Sequence, residues 1–529
     1  MLQAVSLQSV EAKKMQSFDV AKLLKEDKQN EDLSDIPFRF GYTFDVNYTL
    51  NDGVWERHRG NNVWSLKIKS EGAYSLNFIF EELYLTEDEQ LFIFNSSGTM
   101  VYGPVTKEQN IQKDETFLTD VIIGDEVIIQ LVGTKVSEYK EKSFLRISKV
   151  VHGYKNIFAS ITENNIVQSL GQSAICNNDM ACYPNWELES NAVALVLLSN
   201  GTEACSGSLL NNTSQNYKPY FLSAFHCIDA DQNGVISTTE KNNAQNWMFR
   251  FKYKKSTCNG STVTSYVTYN QATFRAAWLN TDFLLMELSN FNASTANVTY
   301  LGWDRTGNNP SSGTCIHHPR GDAMKISFDN NTITSNTSPI PWDPVGTIIS
   351  PVNTHWVVEF DNGVVEHGSS GAPLFDQNKR VVGQLHGNHN YNQYISYCNQ
   401  PQAEYGKFNA SWVGGGSDAT GLCKWLDLTN SGTEVLDALI YITGNDNPYS
   451  FQQVTYTIPN LPTGTNVTWS GSSNVNIISG QGTNQVTISV CGGDAATLTS
   501  TLSGMVNTVL TKNLTVNNGT FTVNRYLNN

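Results

Sequence analysis

No cysteine precedes residue 176, and no two cysteines are spaced C-x-x-C. The second absence leaves a zinc ribbon or a thioredoxin-like redox site without support. Positive charge is also scarce, with 34 Lys and Arg against 49 Asp and Glu, a net charge of -15. General nucleic-acid binding needs a cationic surface, and so does attraction to anionic membranes. Neither class of partner fits this chain. No window approaches the ~20 consecutive apolar residues that span a bilayer. The opening Met1-Leu2-Gln3-Ala4-Val5 lacks the basic flank and apolar run of a secretory signal. That leaves a cytosolic protein, or one whose signal peptide has been removed. Charge itself disappears late in the chain: beyond Asp446 only Asp494, Lys512 and Arg525 carry any.

The cysteines that are present favour the second option. Eight of the nine lie between Cys176 and Cys423, and an even set confined to one segment reads as disulfides formed in an oxidising compartment. Scattered buried thiols are the alternative. A chain of 529 residues is too long for one core, and three compositions succeed one another. Residues 1–170 are charge-rich, with period-two alternation over Val63–Lys69, Ala73–Phe80, Leu91–Phe94 and Val127–Val132, a β-sandwich pattern after a short helical piece at Val20–Glu26. Residues 171–440 hold eight or nine short strand candidates and one helix at about Leu422–Leu428, which suits a double β-barrel with a C-terminal helix. Residues 446–529, beyond a linker at Asn445–Pro448, are rich in Thr, Asn, Ser and Gly. Their short, evenly spaced strands at Val454–Ile458, Asn466–Trp469, Val475–Ile478, Gln485–Val490 and Leu514–Val516 predict an immunoglobulin-like sandwich. The expected fold class is mostly β throughout.

Three short motifs carry chemistry. In Gly368-Ser369-Ser370-Gly371-Ala372-Pro373 the flanking glycines let main chain approach a substrate carbonyl, and the N–H groups of Gly368 and Ser370 could face a developing oxyanion. A tight turn is the bland alternative, and a hydrolase elbow G-x-S-x-G fails at Ala372. In Phe221–Cys227 an apolar strand ends in His226 beside Cys227, and a bond from Cys227 to Cys205 would pin two strands and hold the imidazole. In Thr281–Leu288 a carboxylate, Asp282, stands just before an apolar strand, where burial demands a partner such as a catalytic imidazole. The order His226, Asp282, Ser370 is that of chymotrypsin-type proteases, distinct from the subtilisin and α/β-hydrolase orders.

These stretches, with Gly302–Arg305, Ile316–Pro319 and Val382–Gly387, resemble the bacterial lysyl endopeptidase family, a branch of the trypsin-like fold. The resemblance implies a secreted endopeptidase with His226 as general base, Asp282 as its orienter and Ser370 as nucleophile. It implies an oxyanion hole from Gly368 and Ser370, and an edge strand of Leu385, His386 and Gly387 that pairs with substrate and walls the S1 pocket. It implies disulfides Cys176–Cys398, Cys182–Cys258 and Cys205–Cys227, no cofactor and no metal, with His317-His318 structural. Substrates would be proteins or peptides, and no nucleic acid or membrane span is expected. The first 170 residues resemble the β-rich pro-regions of secreted bacterial proteases, so the chain's own N-terminal region is a candidate inhibitor; a permanent carbohydrate- or protein-binding accessory sandwich is the alternative. The last domain is similar to bacterial PKD- or Ig-like modules.

The sequence departs from the wider trypsin-like pattern, and from the family's own, at several positions. Ser369 stands where most trypsin-like enzymes have Asp, as in lysyl endopeptidases, so activation should not need an inserted N-terminal ammonium. Ala403 stands where the family's lysine-selecting Asp would be, and Glu404 is one residue along a strand, hence on the other face. Val364 is neutral too, so S1 is expected to be less than strictly lysine-selective, with an apolar P1 preferred. The maturation site would fall at Leu170–Gly171. Cys315 and Cys423 are both extra to the family and are expected to pair with each other, leaving Cys491 odd and buried. The rival class is a non-catalytic adhesin on a protease scaffold.

Overall fold

The computed structural model describes residues 10–31, 36–111, 116–133, 143–157, 173–291, 298–343, 346–458, 461, 464–493, 495–504 and 508–517. The expected maturation site at Leu170–Gly171 lies outside the described residues.

The alternating N-terminal segments form two facing sheets. One has six strands, with Asn61–Lys69, Glu126–Gly133 and Glu89–Asn95 at its centre, and the other five, built around Ser75–Tyr84 and Phe144–Gly153. Their inward residues, including Trp64, Leu66, Phe78, Phe80 and Ile129, make one buried cluster, as period-two patterning dictates. The helix is one turn longer than its apolar residues show, Val20–Gln29, capped by the Asp19 carboxylate on the Lys22 N–H.

Next come two curled antiparallel sheets. The first is built from Val193–Leu197, Glu203–Leu210, Tyr220–Ala224, Met248–Phe251, Val267–Asn270, Ala272–Trp278 and Phe283–Leu288. The second runs from Asn178–Asp179 through Lys325–Asp329, Gly313–His317, Pro373–Phe375, Val381–Gly387, Gln402–Lys407 and His355–Glu359 to Thr334–Ser335. These are the two halves of the double β-barrel that the strand pattern predicts. The terminal helix is shorter than expected: Cys423–Leu426 has four residues, preceded by Phe408–Val413. Gly414 packs on the Thr420 carbonyl and Gly421 on the carbonyls of Trp412 and Val413, which closes the turn. Two three-stranded sheets follow, 453–490 and 465–515, over Tyr456, Trp469, Val486 and Leu498. The strand Ala495–Gly504 is the one long element there without a sequence expectation; Thr and Ser fill most of its outward positions.

The N-terminal sheets are docked on the first half-barrel. Phe38–Arg39 adds a strand antiparallel to Glu203 and Ala204. Phe38, Phe40, Ile79 and Leu118 share a buried cluster with Leu195, Leu197, Met248 and Tyr253. At its edge the fully buried Arg250 guanidinium bonds the Asp120 carboxylate, which also accepts from the Thr268 hydroxyl. Removing one partner of such a pair strands a charge and costs about 3–5 kcal/mol. Asp120→Ala is therefore expected to lower the urea midpoint of the full chain sharply, whereas the exposed-pair variant Asp45→Ala, which frees only Lys149, should leave it within about 1 kcal/mol. Equal midpoints would show that the docked face is not held this way.

Candidate active site

His226 sits in a single 3-10 turn, Phe225–Cys227, at the end of strand Tyr220–Ala224. The Cys205–Cys227 disulfide ties that turn to the neighbouring strand. Asp282 closes the 3-10 turn Leu279–Thr281 with φ 56°, a left-handed conformation that Asp tolerates better than most residues. That conformation aims its carboxylate back at the histidine. Asp282 Oδ1 accepts the main-chain N–H of His226 at 2.9 Å, and His226 Nδ1 lies 3.1 and 3.0 Å from the two carboxylate oxygens. The Asp282 carbonyl accepts from the Phe225 N–H at 2.7 Å, so main chain and side chain lock together. Both residues are buried, at 4% and 1% exposure.

The loop of Gly368–Gly371 is brought to the same seam by Ser206, next to Cys205. The Ser206 N–H donates to the Ser370 carbonyl at 2.8 Å, and the Ser206 hydroxyl to the Gly368 carbonyl at 2.8 Å. Gly371, at φ 84°, packs so closely on Ser206, Ser223 and Ala224 that a Cβ would meet atoms within 2.8 Å. The His367 carbonyl accepts from the Arg320 N–H at 2.6 Å. In a trans peptide the next N–H points the opposite way, so Gly368 N–H faces away from Arg320.

Ser369 is held by His317, whose Nδ1 lies 2.7 Å from the Ser369 hydroxyl. Burial pushes the His317 pKa down to about 3, so the ring is neutral. Glu366 anchors the start of this region by accepting from Ala174 N–H at 2.7 Å, Asn177 Nδ2 at 2.6 Å and Arg320 Nε at 2.7 Å. The loop is thus fixed by His317 and Arg320 within the uncut chain.

A stack of rings that the sequence reading did not assemble backs the histidine. His386 is parallel to His226 at 5.6 Å between centroids and lies under Trp342 at 3.4 Å. His355 Nε2 is 3.0 Å from His386 Nδ1. Burial holds His386 down to about 3 and His355 well below its usual value, so both are uncharged. Trp342 comes from a two-stranded hairpin, Ile340–Pro341 with Ile349–Ser350, and nothing in local sequence ties it to a histidine 44 residues later.

Several expectations need correction. Leu385 is not on an edge: its N–H donates to Ala372 and its carbonyl accepts from Gly371, both at 2.8 Å, because Val381–Gly387 lies inside the sheet. The register slips after Leu385, so Gly387 pairs with Glu404. Cys315 and Cys423 are both free thiols. Cys315 is packed among Trp356, Leu374 and Tyr405 inside the second half-barrel, whereas Cys423 lies against the other core. Burial raises the Cys315 thiol to about 12. Cys491 is exposed. The other six cysteines form Cys176–Cys398, Cys182–Cys258 and Cys205–Cys227.

A pocket beside Ser370 is lined by Val365, Glu366, Leu385, Gly387, Tyr391 and Tyr397. Ala403 is buried in the apolar cluster with Val365 and Leu385. Glu404 points to the opposite face, where His389 Nδ1 meets its carboxylate at 2.6 Å. That hydrogen bond raises the His389 pKa.

Residues 170–405 match the family model "Lysyl endopeptidase, C-terminal domain", and residues 436–516 the model "PKD-like domain". The chain is similar to a lysyl endopeptidase of Pseudomonas aeruginosa, 27% identical over 346 residues, covering 62% of this chain and 67% of the relative. Solved structures similar to it include a Glu endopeptidase in complex with MPD, at 15% identity and TM-score 0.28 over 47% of this chain and 95% of that one. Another is the secreted serine protease VesC from Vibrio cholerae, at 11% identity and TM-score 0.28 over 62% and 69%.

Proposed function

We propose that this chain is a secreted serine endopeptidase working through His226, Asp282 and Ser370. The observation that carries the reading is the double anchoring of His226, by main-chain N–H and Nδ1, on the buried Asp282 carboxylate. The Ser370 hydroxyl attacks the scissile carbonyl while His226 takes its proton. The Gly368 and Ser370 N–H groups stabilise the oxyanion. His226 then protonates the leaving amine, and water hydrolyses the acyl-enzyme. The three disulfides fit an oxidising, extracellular location; among the described residues no helix is long and apolar enough to cross a membrane. A serine-directed organophosphate is expected to label the peptide containing Ser370 in the wild type and nothing in Ser370→Ala. Folded wild type freed of residues 1–170 that still stays unlabelled would overturn the assignment.

The P1 side chain we infer is apolar or aromatic. Lysine selection needs an unpaired buried carboxylate, and each acid near the pocket already has a partner: Glu366 is ion-paired with Arg320, and Glu404 is hydrogen-bonded to His389. The walls are Val365, Leu385 and a stacked Tyr391–Tyr397 pair, 4.5 Å between centroids. Digestion of a peptide library should give cleavage mainly after Leu, Phe or Tyr; dominant cleavage after Lys would reject this.

The N-terminal region we read as an internal inhibitor. Phe38–Arg39 occupies the edge of the strand that holds Cys205 and Ser206, while His367 Nε2 meets the Glu31 carbonyl at 3.0 Å. A substrate crossing Ser370 would have to displace this segment. Secreted material should begin near Gly171; active material retaining an intact residue 38 would count against inhibition.

A further inference from the structure

The turn that bears His226 runs directly into an acidic loop that the proposed chemistry does not use. From residue 229 to 240 the chain reads Asp-Ala-Asp-Gln-Asn-Gly-Val-Ile-Ser-Thr-Thr-Glu. Oxygen-bearing side chains stand at positions one, three and five, glycine at six and glutamate at twelve. This is the spacing of the twelve-residue EF-hand calcium loop. The glycine requirement is physical: Gly234 has φ 75° at the sharp bend.

The three-dimensional placement is independent of that pattern and points the same way. Ligand atoms of Asp229, Asp231 and Glu240 all lie within 4.8 Å of one another. Asp229 and Glu240 are only 4% and 6% exposed. Among the described residues, no Lys, Arg or His forms an ion pair with any of the three. Two buried carboxylates facing each other without a basic partner are costly. Their present partners are N–H and hydroxyl donors of the loop itself: Gly234 and Asn233 on Asp229 at 2.8 and 3.2 Å, Ala230 and Ser237 on Glu240 at 2.8 and 2.7 Å. A carboxylate has about four lone-pair sites, so these bonds leave room for a cation.

We propose that residues 229–240 form a calcium site. Its protein ligands are side-chain oxygens of Asp229, Asp231, Asn233 and Glu240, with the Val235 carbonyl. All are hard oxygen donors, the class that suits calcium. The site departs from the expectation of no metal. Its position gives it a purpose. Asp229 lies three residues beyond His226, and its N–H donates to the Phe225 carbonyl at 3.2 Å. The far end of the loop enters helix Thr238–Ala244. An ion between the two ends would clamp the turn that carries the imidazole.

The test is calorimetric titration of calcium chloride into the chelator-treated full chain, beside Asp231→Ala and Glu240→Gln. Asp231 is exposed, so its variant keeps the fold. The wild type is expected to bind one more calcium than either variant, with a Kd on the order of 0.1–1 mM, the range of extracellular modules. At a hundred times Kd the unfolding constant should fall about 100-fold, and this thermal stabilisation should be missing in Asp231→Ala. Equal stoichiometry and equal Tm response in all three proteins would mean diffuse adsorption to an acidic surface and would overturn the site. So would the absence of binding in the wild type.

Discussion

Ser370→Ala is expected to lower kcat on a good peptide substrate about a million-fold while leaving KM and Tm nearly unchanged. The size follows from what the hydroxyl alone supplies. Without it no acyl-enzyme forms, and the remaining acceleration, about 10³–10⁴ over water, comes from the oxyanion donors and binding. The fold should survive because the structural duties of residue 370 belong to its main chain: its carbonyl accepts from Ser206. Neighbouring ties run through Gly368 and Ser369. Steady-state kinetics and a thermal melt on the same sample check both halves. A variant within tenfold of wild type would remove Ser370 from the nucleophile's place.

What could be read in the sequence was whatever local pattern dictates. Alternation located Asn61–Lys69 and Glu126–Gly133 because Trp64, Leu66 and Ile68, and Val127, Ile129 and Leu131, form one apolar face that packs between the sheets, although Ser65 and Gln130 on the other face are buried as well. His226, Asp282 and Ser370 stand out as candidates because each has a short signature: a strand-end His beside Cys, a carboxylate before an apolar run, a serine between glycines. Trp342 and His355 had none. They reach His386 through a hairpin and a strand crossing, which only the folded sheet order creates. The Cys315–Cys423 pairing went wrong for the same reason. Counting leftover cysteines says nothing of which core each thiol packs into, and these two face different ones. The loop 229–240 is the opposite case, a signal in plain sight, since twelve consecutive residues carry the whole ligand spacing.

Asp282→Asn should lower kcat about ten-thousand-fold near neutral pH, although the two side chains have the same shape. The argument is one of donors and acceptors. The Asp282 carboxylate receives two N–H groups from His226, from the main chain and from Nδ1, and Oδ1 is shared between them. An ionised carboxylate only accepts, so Nδ1 must carry the hydrogen and Nε2 is left with the lone pair that takes the proton of Ser370. An asparagine has one accepting oxygen and one donating NH2. Its oxygen satisfies the His226 main-chain N–H, and the NH2 then faces Nδ1, which must turn acceptor. The hydrogen moves to Nε2, and the base is lost while every heavy atom stays in place. Kinetics should therefore collapse with no loss of the three disulfides and little change in Tm. Retention of activity within tenfold would mean that Asp282 does not set the tautomer. A collapse accompanied by a large fall in Tm would mean that it acts as a structural strut.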